Sequence, residues 1–209
     1  MGVGSSGAAG ENAAGRIGVF GGTFDPIHAG HLRVAEAVKD AIPLDAIYFV
    51  PAARPRLRSA MPVASIDHRI AMVRLALQDL AWACVSLVDA VRPGPAYSVD
   101  TVQDLRRELG DAARLYLIIG ADSLASLPDW KDPAVLISMA SLVCVGRPGS
   151  TRPADLPQGH PGRNAAYVEG PMSKVNATEI RKRLKSGKTV EGMVDASVAR
   201  YIEQNGLYR

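Results

Sequence analysis

Two histidines lie three positions apart in a glycine-rich segment near the start of the sequence. The segment reads Gly21-Gly22-Thr23-Phe24-Asp25-Pro26-Ile27-His28-Ala29-Gly30-His31-Leu32. Imidazole rings can donate hydrogen bonds to the charge that develops on a transferring phosphoryl group. Glycines let a backbone approach a ligand closely, because they carry no Cβ atom. We therefore interpret the segment as a phosphate site in which His28 and His31 face the same phosphate.

Other interpretations of this segment have less support. In a purely structural one, the glycines form a tight turn and the histidines only cap a helix. A Walker A loop would need Gly-Lys-Ser or Gly-Lys-Thr, which does not follow these glycines. The glycine spacing also does not fit the Gly-x-Gly-x-x-Gly pattern of dinucleotide-binding dehydrogenases.

A second candidate anion site lies near the end of the sequence. The residues Val175-Asn176-Ala177-Thr178-Glu179-Ile180-Arg181 have the features of a helix start, with Asn176 as the capping residue. A hydroxyl in the first turn, at Thr178, is followed by the guanidinium of Arg181. A helix start with these groups favours phosphate, although an ordinary capped helix with a solvated arginine has the same pattern.

The two motifs are far apart in the sequence, so they can form one site only if the fold brings the ends of the preceding strands together. Short apolar runs alternate with amphipathic stretches from residue 16 onward, a pattern typical of a parallel sheet covered by helices. The predicted strands are residues 17–20, 46–50, 83–88, 115–119, 141–145 and 165–169. The predicted helices are residues 31–40, 66–80, 99–109 and 133–139, followed by a C-terminal helical segment. The glycine-rich segment then follows the first strand, at the sheet edge where α/β proteins bind ligands.

Composition narrows the class of protein. The sequence has 209 residues, of which 47% are hydrophobic, so we expect one domain over residues 16–209. Residues 1–15 are mostly Gly, Ala and Ser, and we expect a disordered tail there. No apolar run is long enough for a membrane span and no signal peptide is present, which predicts a cytoplasmic protein. The 24 basic residues are scattered among 21 acidic ones, which does not favour nucleic acid as a partner.

The glycine-rich segment resembles a known family signature. Its His-x-Gly-His core is that of a nucleotidyltransferase superfamily, and Gly-Gly-Thr-Phe-Asp-Pro-Ile-His-x-Gly-His-Leu resembles the form found in nicotinate mononucleotide adenylyltransferases. The resemblance implies an α/β fold, a Rossmann-like parallel sheet with helices on both faces and a C-terminal helical segment. It also implies transfer of AMP from ATP to nicotinate mononucleotide, giving nicotinate adenine dinucleotide and pyrophosphate in NAD biosynthesis.

The resemblance also implies roles for individual residues. The segment at residues 175–181 is similar to Ile-Ser-x-Thr-x-Ile-Arg, which holds the ATP triphosphate, and Gly-x-Asp at residues 120–122 binds a ribose. The implied catalytic residues are His28, His31 and Arg181. The implied ATP-binding residues are Gly21, Gly22, Thr23, Phe24, His28, Gly30, His31, Gly120, Asp122, Asn176, Thr178 and Arg181. The implied mononucleotide-binding residues are Thr23, Asp25, Arg56, Tyr97, Ser98 and Trp130, with Trp130 stacked on the pyridine ring.

One loop departs from the family pattern. After Val50-Pro51 the family commonly has Pro-Pro-His-Lys, whereas this sequence has Arg54-Pro55-Arg56-Leu57-Arg58. We expect Arg56 or Arg58 to replace the lysine, although arginine and lysine differ in geometry. The cofactor that the reaction implies is Mg²⁺, bound mainly through substrate phosphates, because the sequence shows no evident multi-carboxylate site.

Several alternatives remain open at this point. The acceptor is nicotinamide mononucleotide or phosphopantetheine in related enzymes of the superfamily. The altered arginine loop is also compatible with a nucleotide-binding regulatory protein that has lost catalysis. Outside the motifs, Asp67-His68-Arg69 matches the family, and His68 is interpreted as structural. The C-terminal run through Tyr208 is assigned to packing only, and the sequence leaves the question of a homo-oligomer open.

Overall fold

The computed structural model describes residues 15–54, 61–173 and 175–209. The predicted disordered tail lies outside these ranges except for Gly15, and so do Arg56 and Arg58 of the arginine loop. No helix in the described residues is both long enough and apolar enough to cross a bilayer.

Within these ranges, six strands form one parallel sheet, and all six match predicted strands. They are β1 (Arg16–Gly22), β2 (Ala46–Pro51), β3 (Ala83–Val85), β4 (Arg114–Gly120), β5 (Ala140–Gly146) and β6 (Ala166–Glu169). Their order in the sheet is β3-β2-β1-β4-β5-β6, so the direction of winding reverses between β1 and β4. Ligands of open α/β sheets bind beyond the carboxyl ends of the strands at this reversal point.

The described helices cover both faces of the sheet. They are α1 (Ala29–Ala41), α2 (Ile66–Leu77), α3 (Val88–Val91), α4 (Ser98–Leu109), α5 (Ala121–Ala125), α6 (Pro133–Met139), α7 (Ala177–Lys185) and α8 (Ala196–Gln204). The predicted fold class is therefore confirmed, including the C-terminal helical segment formed by α7 and α8.

Two apolar cores fill the space between sheet and helices. On one face, residues such as Val38 of α1, Met72 of α2 and Ile202 of α8 pack against Ile47 and other strand residues. On the other face, helices α4 and α6 pack against β1 and β4 through residues such as Val102, Leu105, Leu136, Val19 and Leu117. Burial of apolar side chains on both faces explains the nearly continuous apolar strands of the sequence.

One predicted strand is too long. The run at residues 83–88 was expected to be a single strand, but β3 ends at Val85 and Val88 begins the short helix α3. The Ser86 N–H still donates to the Phe49 carbonyl oxygen at 2.9 Å, after which the chain turns away from the sheet edge. Apolar character alone does not distinguish a buried strand from the first turn of a buried helix, which is why the sequence pattern continued to Val88.

Candidate active site

Two cavities open at the carboxyl edge of the sheet, where β1 and β4 end. Their volumes are about 400 Å³ and about 460 Å³. The smaller contains Trp130 and is called the tryptophan cavity; the larger contains His28 and His31 and is called the histidine cavity. Both are lined by Phe20, Ile118, Ile119 and Gly120, so one wall is common to both. Each cavity has the size of a typical small-ligand site.

The two histidines are held in a fixed mutual geometry at the start of α1. Their rings stack with centroids 3.7 Å apart and 23° between the ring planes. The His28 backbone N–H donates to Nδ1 of His31 at 3.3 Å. Because Nδ1 of His31 accepts this bond, the proton of the neutral ring is on Nε2, which becomes the donor end of the imidazole. The histidine cavity is therefore lined by an imidazole whose tautomer is set by the backbone.

Phe24 supports this arrangement from the protein interior. Its side chain is only 1% exposed, and its ring lies edge-on to the ring of His31 at 5.0 Å. A Cβ atom on Gly22 would lie 2.7 Å from Cζ of Phe24, so the close approach requires glycine there. Phe24, which the resemblance predicts to bind ATP, thus packs behind His31 and is not among the residues that line either cavity.

The structure divides the other predicted ATP ligands, except Thr178 and Arg181, between the two cavities. The histidine cavity is lined by His28, Gly30, His31, Gly120, Asp122 and Asn176. By contrast, Gly21, Gly22 and Thr23 line the tryptophan cavity. The turn after β1 therefore lies beside the tryptophan cavity, whereas the start of α1 lies beside the histidine cavity.

The residues predicted to form the second anion site lie at the start of α7. Asn176 caps the helix, with its Oδ1 atom accepting from the Glu179 N–H at 2.9 Å. The guanidinium of Arg181 donates to the Asp25 carbonyl oxygen at 2.7 Å and to the Thr178 hydroxyl at 3.4 Å. Thr178 and Arg181 do not line either cavity, but Arg181 connects α7 to the turn that carries His28. The two motifs, more than a hundred positions apart in sequence, are therefore joined in space.

The Asp25 carboxylate is engaged by the protein itself. It is 5% exposed and accepts hydrogen bonds from the backbone N–H groups of Val63 and Ala64 at 2.8 and 3.1 Å. The Tyr208 hydroxyl donates to it at 2.8 Å, and Arg181 lies 3.7 Å away. The oxygens of Asp25, which is predicted to bind the mononucleotide, thus organise the loop end, the C-terminal segment and Arg181.

Tyr208 also has more than the packing role assigned to it from the sequence. Burial, and then the adjacent Asp25 carboxylate, raise the pKa of Tyr208 above its usual value. The hydroxyl therefore stays protonated and able to donate. No sequence pattern indicated this contact, because 183 positions separate the two residues.

We expect Tyr208→Phe to lower the free energy of unfolding by about 1.5 kcal/mol, since a hydrogen bond to a buried charged acceptor is lost. Urea unfolding of the purified variant measures this change. Tyr201→Phe is the matched control, because its hydroxyl bonds the half-buried ring of His68 at 2.9 Å. An equal or larger loss in the control would contradict a special role for the Tyr208 hydroxyl.

A buried arginine that the sequence analysis gave no site role organises the surrounding loops. Arg69 of α2 is 1% exposed, and its guanidinium donates to four carbonyl oxygens. These belong to Thr23, Ala52, Ala53 and Ala64, at distances of 2.7, 2.8, 3.3 and 3.3 Å respectively. Burial lowers the pKa of Arg69, and the negative charge of Asp25 opposes this shift. Arg69 thus ties the β1 turn to both ends of the loop that follows β2.

Replacing Arg69 with methionine is expected to cost roughly 3 kcal/mol of folding free energy, because several buried carbonyl groups lose their donor. Chemical denaturation provides the measurement. Arg74→Met on the same helix is the control, since that side chain is exposed. Similar losses for the two variants would show that the four bonds of Arg69 contribute little.

The tryptophan cavity is bounded by the starts of α4 and α5. Ser98, Thr101 and Trp130 line it, and Nε1 of Trp130 donates to the Ser126 hydroxyl at 3.2 Å. Tyr97 was predicted to bind the mononucleotide, but it does not line the cavity. Its ring packs on the neighbouring apolar core, with Nζ of Lys131 5.0 Å from the ring centroid.

Comparison with known proteins identifies the family of this chain. The family model described as cytidylyltransferase-like matches residues 19–183. A probable nicotinate-nucleotide adenylyltransferase of Thermomicrobium roseum is 41% identical over 199 residues, covering 93% of this chain and 92% of the relative. One from Chromobacterium violaceum is also 41% identical, covering 93% and 99% of the two chains. The chain belongs to the cytidylyltransferase-like family, among its nicotinate-nucleotide adenylyltransferases.

Solved structures show the same fold for this adenylyltransferase chain. The nicotinic acid mononucleotide adenylyltransferase of Plasmodium falciparum, solved with NaAD, aligns with a TM-score of 0.71 at 17% identity. The alignment covers 93% of this chain and 97% of that one. At this identity the likeness supports the fold alone.

The structure adds cavity residues that the sequence analysis of this adenylyltransferase missed. In the histidine cavity they include Gly146, the last residue of β5, Arg147 and Ser150, which follow β5, and Gly170, which follows β6. The sequence could have indicated these residues, because both strands were predicted and their carboxyl ends lie at the same sheet edge as the histidines. Asp89 and Thr101 in the tryptophan cavity gave no such signal. His68, by contrast, has the structural role expected of it, since it bonds Tyr201 and joins α2 to α8.

Proposed function

We propose that the chain transfers an adenylyl group from ATP to nicotinate mononucleotide and releases pyrophosphate. The observation that carries this proposal is the pair of cavities with a common wall, one beside two stacked histidines and the other beside Trp130. Two nucleotides seated in adjoining cavities would meet with their phosphates at the start of α1. The identity to nicotinate-nucleotide adenylyltransferases supports the choice of substrates.

ATP is assigned to the histidine cavity and the mononucleotide to the tryptophan cavity. The histidine cavity contains Asp122 for a ribose hydroxyl and Arg147 for negative charge. The tryptophan cavity offers an aromatic face, at Trp130, that suits an electron-poor pyridine ring. Thr23 and Ser98 contribute hydroxyl groups to the same cavity.

The reaction is a single displacement. An oxygen of the mononucleotide phosphate attacks the α-phosphorus of ATP, and the bond from that phosphorus to the oxygen bridging to the β-phosphate breaks. Pyrophosphate leaves with the bonding electrons, and no covalent enzyme intermediate forms. The protein contributes mainly by positioning the phosphates and stabilising their charge. In this proposal His28 and His31 donate toward the reacting phosphoryl group, while Thr178 and Arg181 hold the triphosphate.

Mg²⁺ fits this site as an ion held by the substrates. Among the described residues, no three His, Cys, Asp or Glu side chains cluster closely enough to hold a metal ion. Mg²⁺ retains water and phosphate oxygens readily, so we propose that it binds mainly through the nucleotide phosphates. There it would neutralise phosphate charge. We also propose a cytoplasmic location, which suits the two free cysteines, Cys84 and Cys144.

The proposal is tested by measuring pyrophosphate release from ATP and Mg²⁺ with either nicotinate mononucleotide or nicotinamide mononucleotide. Release that is much faster with the nicotinate substrate is expected. Equal or faster release with nicotinamide mononucleotide would reassign the acceptor. Tight ATP binding without pyrophosphate release in the presence of either acceptor would overturn the enzymatic assignment and favour a regulatory nucleotide-binding protein.

The arginine loop is tested in the same assay. Arg56 and Arg58 lie outside the described residues, so the proposal that one of them replaces the family's lysine rests on the sequence. Arg56→Ala and Arg58→Ala are compared with the unmodified chain, and one of them is expected to raise the KM for a substrate. Unchanged turnover and KM values in both variants would contradict this role.

A further inference from the structure

The tryptophan cavity contains a buried carboxylate that the proposed reaction does not use. Asp89 of α3 is 5% exposed, and its neighbours in the cavity lining include Ala96, Ser98 and Thr101. Among the described residues that line this cavity, Asp89 is the only one with a charged side chain. Burying a charged group costs free energy unless the group is paired, so the partners of Asp89 indicate the role of its carboxylate.

The partners of Asp89 all come from the segment that leads into α4 and from α4 itself. Its two carboxylate oxygens lie 2.8 and 2.9 Å from the Thr101 hydroxyl, which donates to them. The guanidinium of Arg92 lies 3.3 Å away. Arg92 also pairs with Asp104 and lies 4.0 Å from Asp100, both on α4. Burial raises the pKa of Asp89, whereas the Thr101 bond and the charge of Arg92 lower it.

These contacts fix the amino end of α4 relative to the cavity. Thr101 lies in the first turn of the helix, and its hydroxyl is also 3.1 Å from the Tyr97 carbonyl oxygen at the N-cap. The first backbone N–H groups of a helix have no acceptor within the helix, and here they begin at Ser98 in the cavity wall. A small shift of this turn would therefore move both a hydroxyl and backbone donors that face the ligand.

We infer that Asp89 is a positioning residue for the mononucleotide site. By holding Thr101 and Arg92, it sets the place of the first turn of α4, which receives the pyridine end of the mononucleotide. This role rests on the proposed function, because it concerns the acceptor that the proposed reaction uses. It applies to the tryptophan cavity alone, since the histidine cavity has no lining residue from α3 or α4.

The test compares Asp89→Asn, Thr101→Val and Thr101→Ser with the unmodified chain. For each protein we would measure KM for both substrates, kcat, and mononucleotide binding by tryptophan fluorescence in a Trp82→Phe background. Asp89→Asn and Thr101→Val are expected to raise KM for the mononucleotide about tenfold, with KM for ATP changed less than about twofold. Thr101→Ser restores the hydroxyl and should recover most of the loss. Asp111→Asn, exposed and outside both cavities, is the control.

The outcomes separate this inference from the proposed function. If the unmodified chain binds and adenylylates nicotinate mononucleotide but Asp89→Asn leaves its KM unchanged, the positioning role alone is refuted. An equal rise in both KM values, together with a lower melting temperature, would also refute it and indicate general loss of packing. If the unmodified chain neither binds nor adenylylates nicotinate mononucleotide, the proposed function and the inference fail together.

Discussion

Replacing His31 with alanine is expected to lower kcat by about 10²- to 10³-fold, the usual loss when one preorganised donor to the transition state is removed. The ring is oriented by stacking on His28, by the bond from the His28 N–H and by the edge of Phe24. Since this orientation exists before substrate binds, its contribution falls mainly on the transition state. KM for either substrate should therefore change much less than kcat.

The measurement is steady-state pyrophosphate release, with circular dichroism and thermal unfolding to verify the fold. His68→Gln is the matched control, because it replaces a histidine that is bonded to Tyr201 and lies outside both cavities. It should retain nearly full kcat. A His31→Ala protein with near-normal kcat would remove the central element of the proposed mechanism.

Arg181→Ala is expected to reduce kcat/KM for ATP by about 100-fold, because an arginine that holds phosphate contributes charge as well as several aligned donors. Part of the loss arises indirectly. Arg181 donates to the Asp25 carbonyl oxygen and to the Thr178 hydroxyl, so its removal also releases the start of α7 from the β1 turn.

Arg181→Lys separates these two contributions. Lysine keeps the positive charge but cannot donate to both oxygens with the planar geometry of a guanidinium. An intermediate kcat/KM for ATP is expected from saturation curves in which only the ATP concentration varies. Lys185→Ala, an exposed position in the last turn of α7, serves as the control. Values for Arg181→Ala equal to those of the control would place the triphosphate elsewhere.

Much of the fold was predictable from the sequence because the sheet is buried on both faces. Strands such as β4 and β5 are nearly all apolar, and the glycine-rich turn between β1 and α1 fixes where the ligand edge lies. The placement of His28, His31, Gly120 and Asp122 around one cavity follows from parallel strands alone. The end of β3 could not be predicted from the sequence, because Val88 fits a strand and a buried helix equally well.

The interior of the site was less predictable, because its polar contacts join residues far apart in the chain. Asp25 and Phe24 belong to the signature motif, and their motif positions suggested ligands. The structure shows Asp25 bonded to Tyr208 and Phe24 packed behind His31. Arg69 was visible only as part of the Asp67-His68-Arg69 segment of a predicted helix, with no role in the site. A motif identifies which residues matter near a site, but tertiary contacts decide whether each one contacts the ligand or supports those that do.

The common wall of the two cavities has a consequence for inhibitor design. Because Phe20, Ile118, Ile119 and Gly120 line both cavities, the two cavities adjoin at the carboxyl edge of the sheet, so the two halves of one inhibitor could be placed one in each. Linking two weakly bound fragments across this wall would make the second binding event intramolecular, and the effective concentration of the second fragment would rise accordingly. Since the linker would run past residues that line both cavities, its length and rigidity would govern the affinity of the inhibitor as strongly as the contacts of the two fragments.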